Sequence, residues 1–129
     1  MGKKIHCSGG APEPIGPYSQ AVEAGGMLFL SGQIPVDPAT GDVVEGGVRE
    51  QTRRVLENLT AVLSAAGCSV KDVVKVNLYI TDMGDFPEIN GVYEQYFRED
   101  PPARACVEVS GLPRGVMVEA ELVAMPPGS

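Results

Sequence analysis

The stretch of sequence that decides the fold lies at residues 104–124 and reads RACVEVSGLPRGVMVEAELVA. Both of its ends are rich in β-branched residues and alternate apolar with polar side chains, a pattern typical of half-buried strands. The middle holds Gly111, Pro113 and Gly115, which favour a loop. We therefore predict strands at Arg104–Val109 and Val116–Ala124, and the short loop between them favours antiparallel neighbours.

Side chains alternate between the two faces of a strand, so each of these strands has one face available for the core. We assign the apolar sets to the core: Ala105, Val107 and Val109 from the first strand, and Val116, Val118, Ala120 and Leu122 from the second. The opposite face then carries Arg104, Cys106 and Glu108 beside Met117, Glu119 and Glu121. If the strands are neighbours, a guanidinium and two carboxylates converge on this face.

Two interpretations of this face remain open. A guanidinium binds a planar carboxylate in bidentate fashion, and a nearby glutamate can orient or deprotonate a water molecule, which are the parts needed to hydrolyse a small carboxylated C=N compound. Met117, Val123 and Met125 make the face half apolar, which suits a surface covered by another subunit. The alternative is a structural cross-strand ion pair between Arg104 and Glu119.

The remaining elements follow from periodicity and turn residues. The pattern predicts a hairpin at Ala21–Gly32 around Gly25-Gly26, an amphipathic helix at Val48–Ala66, a strand at Val73–Ile80, and a second helix after Asp85 that Pro101-Pro102 ends. Asp85 and Glu88 are spaced as a capping box for that second helix. The order ββ, α, β, α, ββ predicts an α+β fold in which two helices pack on one face of a mixed sheet.

Length and composition bound the class of protein. A chain of 129 residues is the size of one domain, and we place a single domain at residues 1–129 with flexible ends at 1–10 and 125–129. No apolar run is long enough to span a bilayer and no secretory signal is evident, so we expect a cytoplasmic protein. The net charge of −7 disfavours nucleic acid as a partner.

Other chemistries find little support in the sequence. The three cysteines are widely spaced and are expected to be reduced, and no ligand motif predicts a metal. His6 is the only histidine and lies near the terminus, which disfavours a histidine-based triad. Cys106 has no histidine near it in sequence, so we interpret it as a buried or half-buried thiol rather than as a nucleophile.

Four separated motifs carry a resemblance to a known family. They are Gly16-Pro17-Tyr18-Ser19-Gln20-Ala21, Ser31-Gly32-Gln33-Ile34-Pro35, Pro102-Ala103-Arg104-Ala105-Cys106 and Val118-Glu119-Ala120-Glu121, with Asp85-Phe86 and Asn90 between them. In order and spacing they resemble the motifs of the RidA/YjgF family. The resemblance runs from about Ala11 to Ala124.

The resemblance implies a chorismate-mutase-like α+β fold and a homotrimer with active sites between subunits. It also implies a 2-iminobutanoate/2-iminopropanoate deaminase that needs no cofactor. Its substrates would be 2-aminoacrylate and related enamines with their imine tautomers, released by pyridoxal-phosphate dehydratases. The products would be a 2-keto acid and ammonia.

Carried onto matching positions, the resemblance gives each residue a role. Arg104 would bind the substrate carboxylate, and Glu119 would position or activate the attacking water. Tyr18, Ser31 and Cys106 would line the pocket, with Asn90 as a further neighbour.

Two other functions remain as alternatives. The chain could bind a small 2-keto acid through Arg104 without turnover, as a sensor or as a regulatory partner of an amino-acid metabolic enzyme. Hydrolysis should need Glu119 as well as Arg104, whereas binding should need the arginine alone. An RNA-directed role, as a ribonuclease or a translation inhibitor, is disfavoured by the acidic charge and by the lack of a basic stripe with aromatic platforms.

Overall fold

The structure, a computed structural model, describes residues 2–128, so Met1 and Ser129 of the two ends expected to be flexible lie outside the described residues. Six strands form one sheet: β1 (Lys4–His6), β2 (Ala21–Ala24), β3 (Met27–Gln33), β4 (Val73–Ile80), β5 (Ala103–Glu108) and β6 (Val118–Ala124). Two helices, α1 (Val48–Ala65) and α2 (Phe86–Tyr96), cover one face of the sheet. The predicted fold class, a mixed sheet with two helices in a single domain, is confirmed.

The strand order in the sheet is β1-β2-β3-β6-β4-β5. Strand β6 lies in the interior, where it pairs antiparallel with β3 on one side and with β4 on the other. Within residues 2–128, strand β5 pairs only with β4, in parallel, and so forms one edge of the sheet. Strand β1 forms the other edge by pairing with β2, and the sequence analysis did not predict this strand.

The predicted hairpin between the last two strands is wrong. Both strands exist close to their predicted bounds, but β4 lies between them, so Arg104 and Glu119 are not on neighbouring strands. The connection from residue 109 to residue 117 includes a 3-10 turn at Pro113–Gly115, and Arg114 within it has a positive φ of 59°. This connection carries the chain past β4 rather than folding it back along β5.

The predicted assignment of faces on β5 is also wrong. In the parallel ladder Arg104 lies beside Val76 and Cys106 beside Leu78, and both of these β4 residues are buried under the helices. Val107 lies on the other face and is 46% exposed. Alternation defines two faces of a strand without saying which one the helices cover, and here Arg104 packs on the aromatic rings of α2 instead of facing away.

The core lies between the helices and the covered face of the sheet. On α1, Val55, Leu59 and Val62 are almost fully buried, as the predicted apolar stripe requires. The helix ends in a Schellman motif: the N–H of Gly67 donates to Ser64 and that of Cys68 to Leu63, with Gly67 at a positive φ of 76°. Truncating a buried leucine in such a core costs about 2–5 kcal/mol of unfolding free energy.

Two local predictions have different outcomes. The hairpin at β2–β3 turns through Gly25 and Gly26, both of which have positive φ, as the Gly-Gly pair predicts. The capping box at the start of α2 is wrong, because the Asp85 side chain makes no capping hydrogen bond. The preceding 3-10 turn is capped instead by Asp82, which accepts from the N–H of Gly84, and Pro87 lies in the first turn of α2.

Neither helix within residues 2–128 combines the length and the apolar character needed to cross a membrane.

Candidate active site

Helix α2 holds the guanidinium of Arg104. The Nη1 atom of Arg104 donates to Oδ1 of Asn90 at 2.7 Å. The central carbon of the guanidinium, Cζ, lies 5.2 Å from the centroid of the Phe86 ring and 4.7 Å from the centroid of the Tyr93 ring. Two cation–π contacts and one hydrogen bond therefore fix the group. The hydrogen bond uses one of the five N–H donors of a guanidinium, which leaves donors for a ligand.

Arg104, Asn90 and Tyr93 line an open groove of about 500 Å³ between α2 and the start of β5. Its remaining walls come from the end of α2 and the segment after it, and consist of Glu94, Phe97, Pro101 and Pro102. Cys106 follows two residues after Arg104 on the same face of β5 and packs against the hydrophobic core. Burial raises the pKa of the Cys106 thiol, an effect that Arg104 partly offsets, so the unreactive thiol form is favoured at neutral pH.

The carboxylate of Glu119 occupies a second location, on the face of the sheet that the helices leave open. It lies over the backbone of Gly32 on β3, so closely that a methyl group at Gly32 would overlap its Oε2 atom. The β3–β6 register shifts by one residue between Leu30 and Gln33, which places a bulge at this point. Burial raises the pKa of Glu119, and the negative charge of Glu121 raises it further.

Ser31 immediately precedes Gly32 in the chain, and hydrogen bonds join it to the segment that follows Tyr18. The hydroxyl of Ser31 donates to the carbonyl of Ser19 at 2.6 Å, and its N–H donates to the carbonyl of Gln20 at 3.0 Å. Tyr18, immediately before Ser19, is half exposed. The bulge next to Glu119 is thereby fixed to the loop that presents Tyr18.

Glu121 lies two residues after Glu119 and is held by the neighbouring strand. Its Oε2 atom accepts from Nδ2 of Asn77 at 3.1 Å and from the hydroxyl of Tyr79 at 2.9 Å. The hydrogen bond to Glu121 is the main cause that raises the pKa of the Tyr79 phenol. Glu121 is thus a fixed acceptor beside Glu119.

The predicted site residues fall into two groups. The first, which we call the arginine half, contains Arg104, Asn90 and Cys106 and lies on the helix-covered face at the β5 edge. The second, the glutamate half, contains Glu119 and Ser31 on the open face, with Tyr18 in the loop tied to Ser31. The prediction that Arg104 and Glu119 share one face is therefore wrong within a single chain, and the structural ion pair between them is not formed.

Comparison with known proteins decides the family. A family model described as endoribonuclease L-PSP matches residues 8–126, which is most of the chain. The chain belongs to the RidA/YjgF family.

Members of the RidA/YjgF family match the chain over nearly its whole length. A RutC family protein of Pyrococcus horikoshii is 54% identical over 122 residues, covering 95% of this chain and 97% of that protein. A mouse protein named 2-iminobutanoate/2-iminopropanoate deaminase is 44% identical over 123 residues, covering 95% of this chain and 91% of the mouse protein. The crystal structure of E. coli TdcF with bound serine superposes with a TM-score of 0.90 at 47% identity, over 95% of this chain and 98% of that chain.

Sequence reasoning missed three contributors to these RidA/YjgF half-sites. Gly32 was quoted within a motif but given no role, and Phe86 and Tyr93 were not connected to Arg104. The spacing of positions 86, 90 and 93 is four and three residues, which places all three on one face of a helix. That spacing was a usable signal once α2 was known to cover β5.

The structure also accounts for residues considered for other chemistries. The Nε2 atom of His6 pairs with Oε1 of Glu23 at 2.9 Å across the β1–β2 ladder, which gives the histidine a structural partner. Over the part of the chain that the structure describes, no three side chains of His, Cys, Asp and Glu are grouped so as to hold a metal ion.

Proposed function

We propose that this protein is a hydrolytic deaminase that converts small enamine and imine forms of 2-amino acids into 2-keto acids and ammonia. The observation that carries the proposal is the fixed guanidinium of Arg104, which lines a groove and retains N–H donors for a carboxylate. The mouse relative named 2-iminobutanoate/2-iminopropanoate deaminase supports it. The chemistry uses water as the only second substrate and requires no cofactor.

The reaction divides between two residues. Arg104 binds the substrate carboxylate and so orients the adjacent C=N carbon. Glu119 accepts one proton from water as the water oxygen adds to that carbon, and it passes this proton to the nitrogen to give a carbinolamine. The hydroxyl proton of the carbinolamine then moves to the nitrogen by way of Glu119 as the C–N bond breaks, which leaves the keto C=O and releases ammonia. A carboxyl group whose pKa is raised by burial is better suited to this proton transfer than a fully exposed one. Tyr18, Ser31, Cys106 and Asn90 line the pocket in this proposal.

The complete site requires a second chain. Arg104 and Glu119 lie on opposite faces of the sheet, with β4 between their strands, so one chain does not bring them together. Apolar groups that include Phe29 at 47% exposure and Val107 at 46% remain on the open face. A homotrimer in which the arginine half of one subunit meets the glutamate half of the next supplies both residues and covers this surface.

The substrate class follows from the same two residues. The arginine selects a carboxylate, and the hydrolysis needs a C=N group next to it, a combination found in the products that pyridoxal-phosphate dehydratases release from serine and threonine. The solved TdcF structure with bound serine shows that a relative holds a small amino acid. That observation also favours the second candidate function, a sensor that binds a small carboxylate without turnover.

The decisive assay follows ammonia and keto-acid release while a dehydratase generates 2-aminoacrylate or 2-iminopropanoate in situ. We expect the wild type to exceed the spontaneous rate, and we expect Arg104→Ala and Glu119→Ala each to fall to that rate. The exposed Glu88→Ala variant on α2 serves as the matched control and should retain wild-type release. If the wild type adds nothing to spontaneous hydrolysis while keto acids still bind through Arg104, the sensor replaces the deaminase.

A further inference from the structure

We propose that Phe86, Asn90 and Tyr93 are positioning residues of Arg104, which fix the plane of its guanidinium so that the free N–H edge meets the substrate carboxylate. We call these three residues the guanidinium cradle. The inference rests on the proposed function, because it takes Arg104 as the group that binds the carboxylate.

The cradle is built into the helical repeat of α2. Positions 86, 90 and 93 are four and three residues apart, so their side chains lie on one face of the helix, directed toward β5. Arg104 enters from the edge strand, on the same face as the buried Val76. One helix and one strand therefore fix the whole arrangement.

The three contacts divide the surface of the guanidinium between them. The central carbon of the guanidinium lies over the rings of Phe86 and Tyr93, 5.2 and 4.7 Å from their centroids, and Asn90 accepts from Nη1. A cation–π contact uses none of the conventional hydrogen bonds of the guanidinium, so the remaining N–H groups stay available for a bidentate partner. A clamp ordered in advance also avoids the loss of rotamer freedom that would otherwise accompany binding.

The chemistry of Asn90 suits positioning rather than neutralisation. Its amide oxygen is an uncharged acceptor, so it holds Arg104 at 2.7 Å without cancelling the positive charge that attracts the substrate. No salt bridge joins Arg104 to a carboxylate among residues 2–128. A carboxylate at position 90 would instead compete with the substrate for the same donors.

Tyr93 contributes its ring. Its hydroxyl is buried and has no hydrogen-bond partner among the described residues, and the ring packs against Phe97 with centroids 4.6 Å apart. Phenylalanine at this position would keep both ring contacts. This gives a matched pair of substitutions, Tyr93→Phe to retain the ring and Phe86→Leu to remove one.

The test is calorimetric titration of the assembled protein with pyruvate, which carries the carboxylate of the expected product. We expect Arg104→Lys to weaken binding and Asn90→Ala to weaken it about tenfold, the effect of losing a hydrogen bond to a charged group. In the Arg104→Lys background, Asn90→Ala should have almost no further effect, because it acts only through the guanidinium. Glu88→Ala, exposed on the same helix, is the control.

Substitutions of Phe86 and Tyr93 test the ring contacts independently of the Asn90 hydrogen bond. Phe86→Leu should weaken pyruvate binding about threefold through the lost cation–π contact, whereas Tyr93→Phe should leave it within about twofold. In kinetics, both Asn90→Ala and Phe86→Leu should raise KM more than they lower kcat. Phe86 is only half buried, so we expect Phe86→Leu to fold, and it tests the cradle even if Asn90→Ala fails to fold.

The possible failures can be told apart. Unchanged pyruvate binding in Arg104→Ala would overturn the carboxylate clamp and with it the proposed function. If Arg104→Ala abolishes binding while Asn90→Ala and Phe86→Leu bind normally, the cradle is wrong and the role of Arg104 as the carboxylate clamp stands. Equal losses from Asn90→Ala in the wild-type and Arg104→Lys backgrounds would also overturn the cradle, since Asn90 would then contact the ligand directly.

Discussion

At the scale of residues, the missing β-carbon of Gly32 determines where the Glu119 carboxylate lies. The carboxylate lies in the volume that a β-carbon at position 32 would occupy, and a bulge in β3 presents the backbone there. The φ angle at Gly32 is not in the left-handed region, so the requirement for glycine is one of space rather than backbone conformation. The absence of a side chain at Gly32 leaves the space that the Glu119 carboxylate, the proposed proton acceptor, occupies.

Gly32→Ala should therefore separate activity from stability. The new methyl group meets the far end of a flexible side chain, so we expect the Glu119 carboxylate to move aside at a cost of less than about 1 kcal/mol in unfolding free energy. Displacement of the proposed proton acceptor should reduce kcat about 100-fold. Gly111→Ala is the matched control, since a β-carbon there meets nothing within 4 Å. Full activity in Gly32→Ala would contradict the placement of Glu119.

At the scale of elements, the antiparallel ladder between β4 and β6 determines the surroundings of Glu119. Asn77 lies opposite Glu121 and Tyr79 lies opposite Glu119, so the phenol reaches along the ladder to the Glu121 carboxylate. Two strands thus hold a second negative charge at a fixed place near the proposed proton acceptor. The pairing register, rather than either strand alone, produces this arrangement.

Glu121→Gln should shift the acid side of the pH–rate profile. Glu119 must be ionised to accept a proton, so the rate falls as the pH drops through its pKa, which burial raises and the charge of Glu121 raises further. Removing that charge lowers the pKa of Glu119, so the acid limb should move to lower pH. Tyr79→Phe, which keeps the charge, should not produce this downward shift. An unmoved limb in Glu121→Gln would contradict the coupling.

The elements differ in how far local sequence determined them. The α1 helix, β4 and the β2–β3 hairpin follow from periodicity, a helix-stopping glycine and a Gly-Gly turn, which all act within a few residues. The order of the sheet depends on which strands pair across long separations, and the connection at 109–117 looked like a hairpin loop although β4 lies between its ends. The prediction that Arg104 lies on the uncovered face of β5 was wrong for a similar reason, since only the position of α2 shows which face of β5 is covered.

The site residues show the same division. Arg104 and Glu119 could be chosen from the sequence because their motifs are specific, but the partners of Arg104 could not. Phe86 and Tyr93 belong to a helix whose apolar face resembles ordinary core, and only the contact with β5 distinguishes the cradle from packing.

At the scale of the whole molecule, the domain presents the two halves of its proposed site on opposite faces. The arginine half lies under α2 at the β5 edge, and the glutamate half lies on the uncovered face. One chain therefore carries every proposed catalytic residue without forming one complete site. In a cyclic assembly each chain gives its arginine to one neighbour and its glutamate to the other.

Mixed assemblies should reveal this division. Chains with Arg104→Ala and chains with Glu119→Ala should each be inactive alone. Co-expression in equal amounts should restore about a quarter of wild-type activity, because three in four random trimers are mixed and each mixed trimer has one intact site of three. The control is the double variant, which carries both substitutions in one chain and should stay inactive when it is expressed alone. Failure to regain activity in verified mixed trimers would contradict sites shared between chains.

The interior position of β6 has a consequence for synthesis. Strands β1–β3 and β4–β5 leave the ribosome first, but β6 joins these two parts of the sheet, and it is the last of the six strands to be made. At about 5–20 residues per second, the interval between the end of β5 and the end of β6 lasts about 1–3 s, during which the nascent chain holds two sheet fragments whose inner edges are unpaired. Those edges are the ones most open to pairing with other chains. Co-translational folding of this domain is therefore completed only when Val118–Ala124 emerges, and a chain interrupted before Val118 remains a substrate for chaperones and proteases.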